Sequence, residues 1–239
     1  MLDTRTDLEK TTKILHGLYQ RRKKDAEDGK LIVLQNQIQH ISRRHVEEKF
    51  GPGPHRVEIT LDFPPNAPFS RDNINPKFVI ELAPLDLMPH SVYFFLLQVY
   101  NGCWNGRSFD RNAEHVIQAG LYPYYATPDN AEDDGHFEEL KLQEVAFQEY
   151  SEEYPHELHT VGFAGRPGGP EWYISMMDNS EAHGPGGQTK YEVRHEADPC
   201  FGKVVEGLEA VYLMQKMQKE ADDWEGMKYN VGILKAKIL

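Results

Sequence analysis

Two sets of apolar residues near the start of the chain recur at helical spacing. They are Leu8, Leu15 and Leu18, and then Leu31, Leu34, Ile38 and Ile41. The charged stretch at residues 25–30 changes the phase between the two sets, so we expect one helix interrupted near Gly29, or two helices. The apolar stripe along residues 8–49 must be buried, either on a helical partner, as in a coiled coil, or on the protein's own body.

A run of alternating glycine and proline at residues 51–54 ends the helical pattern. Proline and glycine neither continue a helix nor form a regular strand, so this run predicts a domain boundary. We therefore expect an N-terminal helical extension at residues 1–50 and a second domain at residues 55–239.

Beyond the boundary, short runs alternate between apolar and polar residues, which is the period of a half-buried strand. The predicted strands cover residues 57–63, 78–82, 160–164, 171–176, 201–205 and 229–239, with two more between residues 104 and 120. Helical spacing appears after Pro89 and again from Leu208 to Met217. Many short strands and two helices, without a βαβ rhythm, predict a mainly antiparallel barrel or sandwich.

Composition narrows the classes of function. The chain has 239 residues and a formal net charge of -12, which argues against a nucleic-acid binder because phosphate contacts need clustered Lys and Arg. No apolar run reaches the ~20 residues of a spanning helix, and the first residues show no secretory signal. We expect a cytoplasmic protein unless an upstream anchor has been lost.

Much of the negative charge lies at residues 129–157, which hold eleven acidic residues and one lysine. Such a density of like charges is typical of a solvated segment, so we expect an acidic insertion exposed to water, or a landing site for a basic partner. His156 and His159 in this region are too few for a metal site, and we expect surface or capping roles for them. No motif for a cofactor is evident.

The stretch from Trp104 to Gly120 reads WNGRSFDRNAEHVIQAG and predicts two short strands that present one arginine. Arg111 keeps its charge and carries a planar fork of donors. On a sheet beside apolar neighbours, it is either a structural ion-pair partner or a group that grips carbonyls and amides. The residues alone leave both alternatives open.

The order of the segments resembles the cyclophilin-type peptidyl-prolyl isomerase domain. The segments that carry the resemblance are FVIEL, a helix, WNGRSFDR, HVIQAG, VGFAG, EWYIS, CFGKVVEGLEAV and a last strand, from about His55 to Leu239. The resemblance implies an eight-stranded antiparallel barrel closed by two helices. It does not cover the N-terminal helical region.

The resemblance also implies a site. The family's F-H-R is here Phe109-Asp110-Arg111, so Arg111 is the implied catalytic residue. The implied substrate contacts are His115, Val116, Gln118, Ala164, Gly165, Glu171 and Tyr173, and the far wall is Asp198 or His195. His115, Gly165 and Glu171 replace the family's phenylalanine, asparagine and glutamine, so this pocket is more polar.

The implied function is isomerisation of X–Pro bonds in a proline-containing peptide or protein client, without metal or cofactor. Glu171 could pair with Arg111 and hold it away from substrate, which predicts a weak enzyme. The alternatives are a non-catalytic proline- or peptide-binding module and a scaffold whose N-terminal helices carry the partner.

Overall fold

A computed structural model describes residues 10–14, 28–124, 136–187, 196–221 and 225–239. Residues 10–14 are helical. The other helices of the described residues are α1 (Asp28–Phe50), α2 (Pro89–Tyr100), α3 (Phe137–Leu140) and α4 (Leu208–Gln215). The strands are β1 (Arg56–Asp62), β2 (Lys77–Leu82), β3 (Arg107–Asn112), β4 (Val116–Pro123), β5 (Thr160–Phe163), β6 (Trp172–Ser175), β7 (Cys200–Glu206) and β8 (Gly226–Ile238).

The eight strands form a closed antiparallel barrel in the order β1-β2-β7-β5-β6-β4-β3-β8. Strand β1 shows why alternation predicted this sheet, because Val57, Ile59 and Leu61 are buried while the residues between them are partly exposed. The predicted barrel is confirmed, and each predicted strand lies within a few residues of an observed one.

Aromatic side chains fill the barrel interior. Phe163 stacks on Phe201 with ring centroids 4.2 Å apart, and Trp172 meets Phe109 edge-on at 5.2 Å. Helix α2 packs on β7 and β8 and inserts Phe95 against Phe201, while α4 packs on β2. Pro89 begins α2 as predicted, because a proline without an N–H is tolerated in the first turn.

Helix α1 packs on the protein's own body, which is one of the two alternatives that its apolar stripe allowed. Val46 belongs to the main core, and Ile38 packs in a smaller cluster with Phe147. The Ser42 hydroxyl lies 3.1 Å from His90 Nδ1 of α2. The part of the stripe at residues 15–27 lies outside the described residues.

The C-terminal part of the acidic segment is packed rather than solvated, so the expectation of a solvated loop is wrong from residue 136 onward. Phe137 is fully buried against Trp104, and Phe147 stacks on His90. Met88, at the N-cap of α2, makes no capping hydrogen bond with its side chain. The buried Glu149 carboxylate takes this role, because it accepts from the first N–H groups of the helix. Burial of these aromatic side chains therefore keeps this part of the segment packed on the protein despite its negative charge.

No helix in the described part of the chain is both long and apolar enough to cross a membrane.

Candidate functional site

Four residues on neighbouring strands form a row across the barrel wall. Arg111 on β3 pairs with Gln118 on β4, Gln118 pairs with Tyr173 on β6, and Tyr173 pairs with Gly162 on β5. Directly paired residues of an antiparallel sheet present their side chains to the same face. The neighbouring residue Trp172 points into the core, so this site row lies on the outer face.

Arg111 is held at one end of the site row. Its Nη1 donates to Gln118 Oε1 at 3.4 Å, and its Nη2 lies 3.9 Å from Glu225 Oε2. The side chain is 18% exposed. Burial lowers the pKa of Arg111, yet an arginine remains charged at neutral pH. The guanidinium thus has a carboxylate within ion-pair distance and still reaches solvent, so both alternatives from the sequence stay open.

A β-bulge between Phe109 and Arg111 inserts Asp110 into strand β3. Asp110 is buried above Gly120, where a Cβ atom would lie 2.0 Å from Asp110 Oδ2. Its Oδ1 has no hydrogen-bond partner among the described residues. Burial, together with the charge of Glu171, raises the pKa of Asp110 to about 7. Asp110 therefore takes up a proton near neutral pH.

Glu171 lies just before β6 and contacts the site row through Gln118. Its Oε2 accepts from Gln118 Nε2 at 2.7 Å. Burial raises the pKa of Glu171. The expected direct pair of Glu171 with Arg111 is replaced by a relay through the Gln118 amide, and Glu225 is the carboxylate at ion-pair distance.

An apolar cluster lies beside Arg111 and consists of Ala113, Val116 and Tyr173, with Ala164 at its edge. Val116 is 1% exposed and Tyr173 is 2% exposed. His115 is half-buried, and burial lowers its pKa. Val116 and Tyr173 therefore lie in one apolar cluster, and both side chains are covered.

Gly165 lies in the exposed turn that follows β5. Its φ of +88° belongs to the left-handed region that favours glycine. Its carbonyl accepts from Gln148 Nε2 at 3.2 Å. The hydrogen bond described for Gly165 is thus with Gln148 and not with the site row.

Tyr173 is surrounded by a buried polar cluster that the sequence did not predict. We call Tyr173, His156, His183, Asp198 and Arg166 the Tyr173 cluster. The Tyr173 hydroxyl donates to Asp198 Oδ2 at 2.8 Å and lies 2.8 Å from His183 Nδ1. His183 Nδ1 is 2.5 Å from the same Asp198 oxygen. Three segments that are separate in sequence therefore meet over one ring.

Arg166 supplies the charge that balances Asp198. Its Nε donates to Asp198 Oδ1 at 2.9 Å, and the two side chains are only 8% and 5% exposed. Burial alone would raise the pKa of Asp198, but His183, Arg166 and Tyr173 outweigh it and the pKa lies below its usual value. Burial and the charge of Asp198 raise the pKa of Tyr173 well above its usual value. The cluster thus holds an ionised aspartate and a neutral tyrosine.

His156 also belongs to this cluster, so the expectation of a surface or capping role is wrong for it. It is fully buried, its Nε2 lies 2.8 Å from the Asp198 carbonyl oxygen, and burial lowers its pKa to about 4. Gly162 makes room for it, since a Cβ there would lie 2.6 Å from His156 Cε1. Among the described residues, no three His, Cys, Asp or Glu side chains are arranged to hold a metal ion.

Asp198 stands where the far wall was expected, in contact with Tyr173, while His195 lies outside the described residues. Sequence reasoning missed Glu225, Arg166 and His183 as neighbours of the site. Each of them comes from a loop or strand end with no motif of its own, so no local signal identified them.

Comparisons with known proteins agree with the fold. Residues 71–238 match the family model described as cyclophilin type peptidyl-prolyl cis-trans isomerase/CLD. A solved structure of a cyclophilin type peptidyl-prolyl cis-trans isomerase from Cryptosporidium parvum is similar with a TM-score of 0.52 and 15% identity, over 77% of this chain and 97% of that one. A structure of the same protein in the presence of the dipeptide Ala-Pro has a TM-score of 0.51 and 15% identity, over 77% and 98%.

No curated protein matches the chain by sequence. The similarity to the solved structures supports the fold, and the family model spans more than half of the sequence, from before β2 to the end of β8. The chain therefore belongs to the family of cyclophilin-type peptidyl-prolyl cis-trans isomerases.

Proposed function

We propose that this protein catalyses cis-trans isomerisation of X–Pro bonds in peptides or proteins, with Arg111 as the electrostatic catalyst. The observation that carries the proposal is the position of Arg111, whose partly exposed guanidinium is held by Gln118 on the outer face of the barrel beside an apolar cluster.

The chemistry needs only a well-placed donor. Rotation about an X–Pro bond has a barrier of about 18–20 kcal/mol because the nitrogen lone pair is delocalised into the carbonyl. In the twisted state the lone pair returns to the nitrogen, where a guanidinium N–H can hydrogen-bond to it. A donor that binds this state more strongly than either planar isomer lowers the barrier.

The substrate contacts in this proposal are the residues that the family resemblance implies. Gln118 faces the peptide backbone with Glu171 behind it, Val116, Ala164 and Tyr173 receive the proline ring, and His115 and Gly165 line the groove. The relative that was studied in the presence of Ala-Pro supports a proline-containing peptide as the partner. Polar His115 and Glu171 make the groove less apolar than a proline ring prefers, so we expect slow turnover.

A second function, binding of proline-containing segments without turnover, is favoured by one observation. Val116 and Tyr173 are 1% and 2% exposed, so a proline ring can reach them only if covering groups move aside. A covered cradle is compatible with binding that selects an open state, and it slows a catalytic cycle.

The test is an isomerisation assay on short Ala-Pro peptides with the native protein and Arg111→Ala. Removal of one preorganised donor is expected to lower kcat by about 10²–10³. Affinity for the peptide, measured by NMR titration, should change little because the lost bond is strongest in the twisted state. Arg56→Ala is the matched control, since Arg56 pairs with Glu81 on the exposed surface of β1.

Equal inactivity of native protein and Arg111→Ala would refute the isomerase. If the same samples bind the peptide, the binding module takes its place. If they do not bind it, both candidate functions fail.

A further inference from the structure

We propose that Glu171 is a positioning residue that fixes the orientation of the Gln118 side-chain amide, so that its carbonyl oxygen and not its amino group faces the Arg111 guanidinium. The inference deepens the isomerase proposal and, in its kinetic part, rests on it.

The Gln118 amide bridges a carboxylate and a cation. Its Nε2 donates to Glu171 Oε2 at 2.7 Å, and its Oε1 accepts from Arg111 Nη1 at 3.4 Å. An amide has one end that donates and one end that accepts. Both hydrogen bonds have an ionised partner, and the bond to Glu171 is the stronger because it is much the shorter, so Glu171 has the larger part in deciding which end turns toward Arg111.

The alternative orientation is unfavourable for a local reason. Gln118 is 5% exposed, so water cannot replace a lost partner. A reversed amide would place its NH₂ group against the N–H groups of Arg111 and its oxygen against the Glu171 carboxylate. Two donors would then face each other, as would two acceptors. The guanidinium would lose the contact that holds it in the site row.

Glu171 is itself held in place. It precedes Trp172, whose side chain is fully buried in the core. Glu225 Oε2 lies 3.9 Å from Arg111 Nη2, and Glu225 also pairs with Lys219 at 3.3 Å. The guanidinium is thus held between a fixed amide oxygen and a carboxylate, which is the preorganisation that a hydrogen-bond catalyst needs.

The arrangement predicts a pH dependence with a defined origin. A protonated Glu171 becomes a donor, which removes its preference for the NH₂ end of Gln118. Burial raises the pKa of Glu171, so this change begins above the usual range for a glutamate. The charged groups that face Glu171 are Arg111 and Asp110 on β3, and Asp110 also titrates. The contribution of Glu171 is therefore measured as the difference in the pH dependence of kcat between the native protein and a variant without a titratable group at position 171.

The experiment compares Glu171→Met, which has a similar shape and no acceptor, with Glu171→Gln, which keeps one acceptor oxygen. We expect Glu171→Met to lower kcat by about 10- to 100-fold with little change in KM, since the guanidinium is no longer aimed. Glu171→Gln should recover most of the lost kcat and should lack the acidic fall in kcat that we expect of the native protein. Glu152→Met, at an exposed carboxylate, is the matched control.

Three kinetic results would overturn the inference while leaving the isomerase standing. They are an unchanged kcat in Glu171→Met, a change in KM alone, which indicates a substrate contact, and a Glu171→Gln variant as slow as Glu171→Met, which indicates that charge rather than orientation matters.

A second readout does not need turnover. The Nε–H signal of Arg111 in ¹⁵N NMR, assigned by its loss in Arg111→Lys, reports how tightly the guanidinium is held. We expect a signal protected from hydrogen exchange in the native protein and in Glu171→Gln, and about tenfold faster exchange in Glu171→Met. Equal exchange in all three would refute the positioning role even if the native protein proved inactive as an isomerase.

Discussion

The Tyr173 hydroxyl donates a 2.8 Å hydrogen bond to Asp198 Oδ2, which joins β6, one of the strands of the site row, to the segment before β7. Replacement of Tyr173 by Phe keeps the ring and removes this bond to a charged acceptor. We expect a loss of about 1.5–3 kcal/mol in the free energy of unfolding, measured by urea titration. Tyr122→Phe, at a tyrosine that is 64% exposed, should lose almost nothing. Equal stability of Tyr173→Phe and native protein would show that the bond adds nothing.

The ion pair of Arg166 with Asp198 is expected to matter far more than a surface pair. Arg166→Met leaves a buried carboxylate without its cation and should cost about 3–5 kcal/mol in denaturant unfolding. Arg56→Met breaks a pair whose side chains are 43% and 37% exposed and should cost about 0–1 kcal/mol. Similar losses of unfolding free energy in the two variants would show that burial does not make the Arg166–Asp198 pair more important.

Asp110 should make the protein less stable as pH rises. Its pKa in the folded state is about 7, above the value of 3.8 for an unperturbed aspartate, so the folded state holds a proton that the unfolded state has released. Its contribution to stability is complete below about pH 4 and is lost as pH rises through about 7. Asp110→Asn should therefore be more stable than native protein at pH 8.

The measurement is the difference in unfolding free energy between native protein and Asp110→Asn from pH 4 to 8. Subtraction is needed because His90 and His156, whose pKa values burial lowers to about 4, change stability in the opposite direction over part of this range. A difference that does not vary with pH would refute the raised pKa of Asp110.

Glu149 should be one of the most important single residues for stability in the acidic segment. It accepts from the N–H groups of His90 and Ser91 at 3.1 and 2.7 Å and from Gln39 Nε2 at 2.9 Å. Glu149→Leu leaves three donors without their acceptor and should cost on the order of 3 kcal/mol, measured by thermal and urea unfolding. Glu152→Leu, at an exposed neighbour, should cost little, and equal effects would show that the cap is dispensable.

Removal of residues 1–50 should leave a chain that unfolds cooperatively, because we expect the glycine and proline run at residues 51–54 to mark the boundary between the helical extension and the barrel. The Tm should nevertheless fall, because the truncation removes Val46 from the core and removes the Ser42 hydroxyl that contacts His90. Calorimetry of the truncated chain tests both statements. An aggregated product, or one with a broad transition, would show instead that α1 completes the barrel's core.

Much of the fold could be predicted from the sequence, because the signals are local. Alternation along residues 57–63 reflects the two faces of strand β1, and Pro89 marks the first turn of α2 through its missing N–H. The resemblance supplied Arg111, Gln118 and Tyr173, and the register of β3, β4 and β6 brings these three into one row. Eight segments in family order thus identified the barrel.

Only the tertiary structure decided which residues contact each other in that site. Asp198 meets Tyr173 across 25 residues of chain, and Glu149 meets α2 across 58 or 59 residues. Such contacts carry no periodic signal, because they form only when separate loops converge on the closed barrel. The acidic segment is a further example. Its charge predicted exposure to water, whereas Phe137 and Phe147 are buried because the folded protein offers a surface on which they pack. The sequence by itself therefore determined the elements and the arginine. Closure of the barrel decided that Glu225 and Gln118 contact Arg111 and that the Tyr173 hydroxyl donates to the buried Asp198 carboxylate.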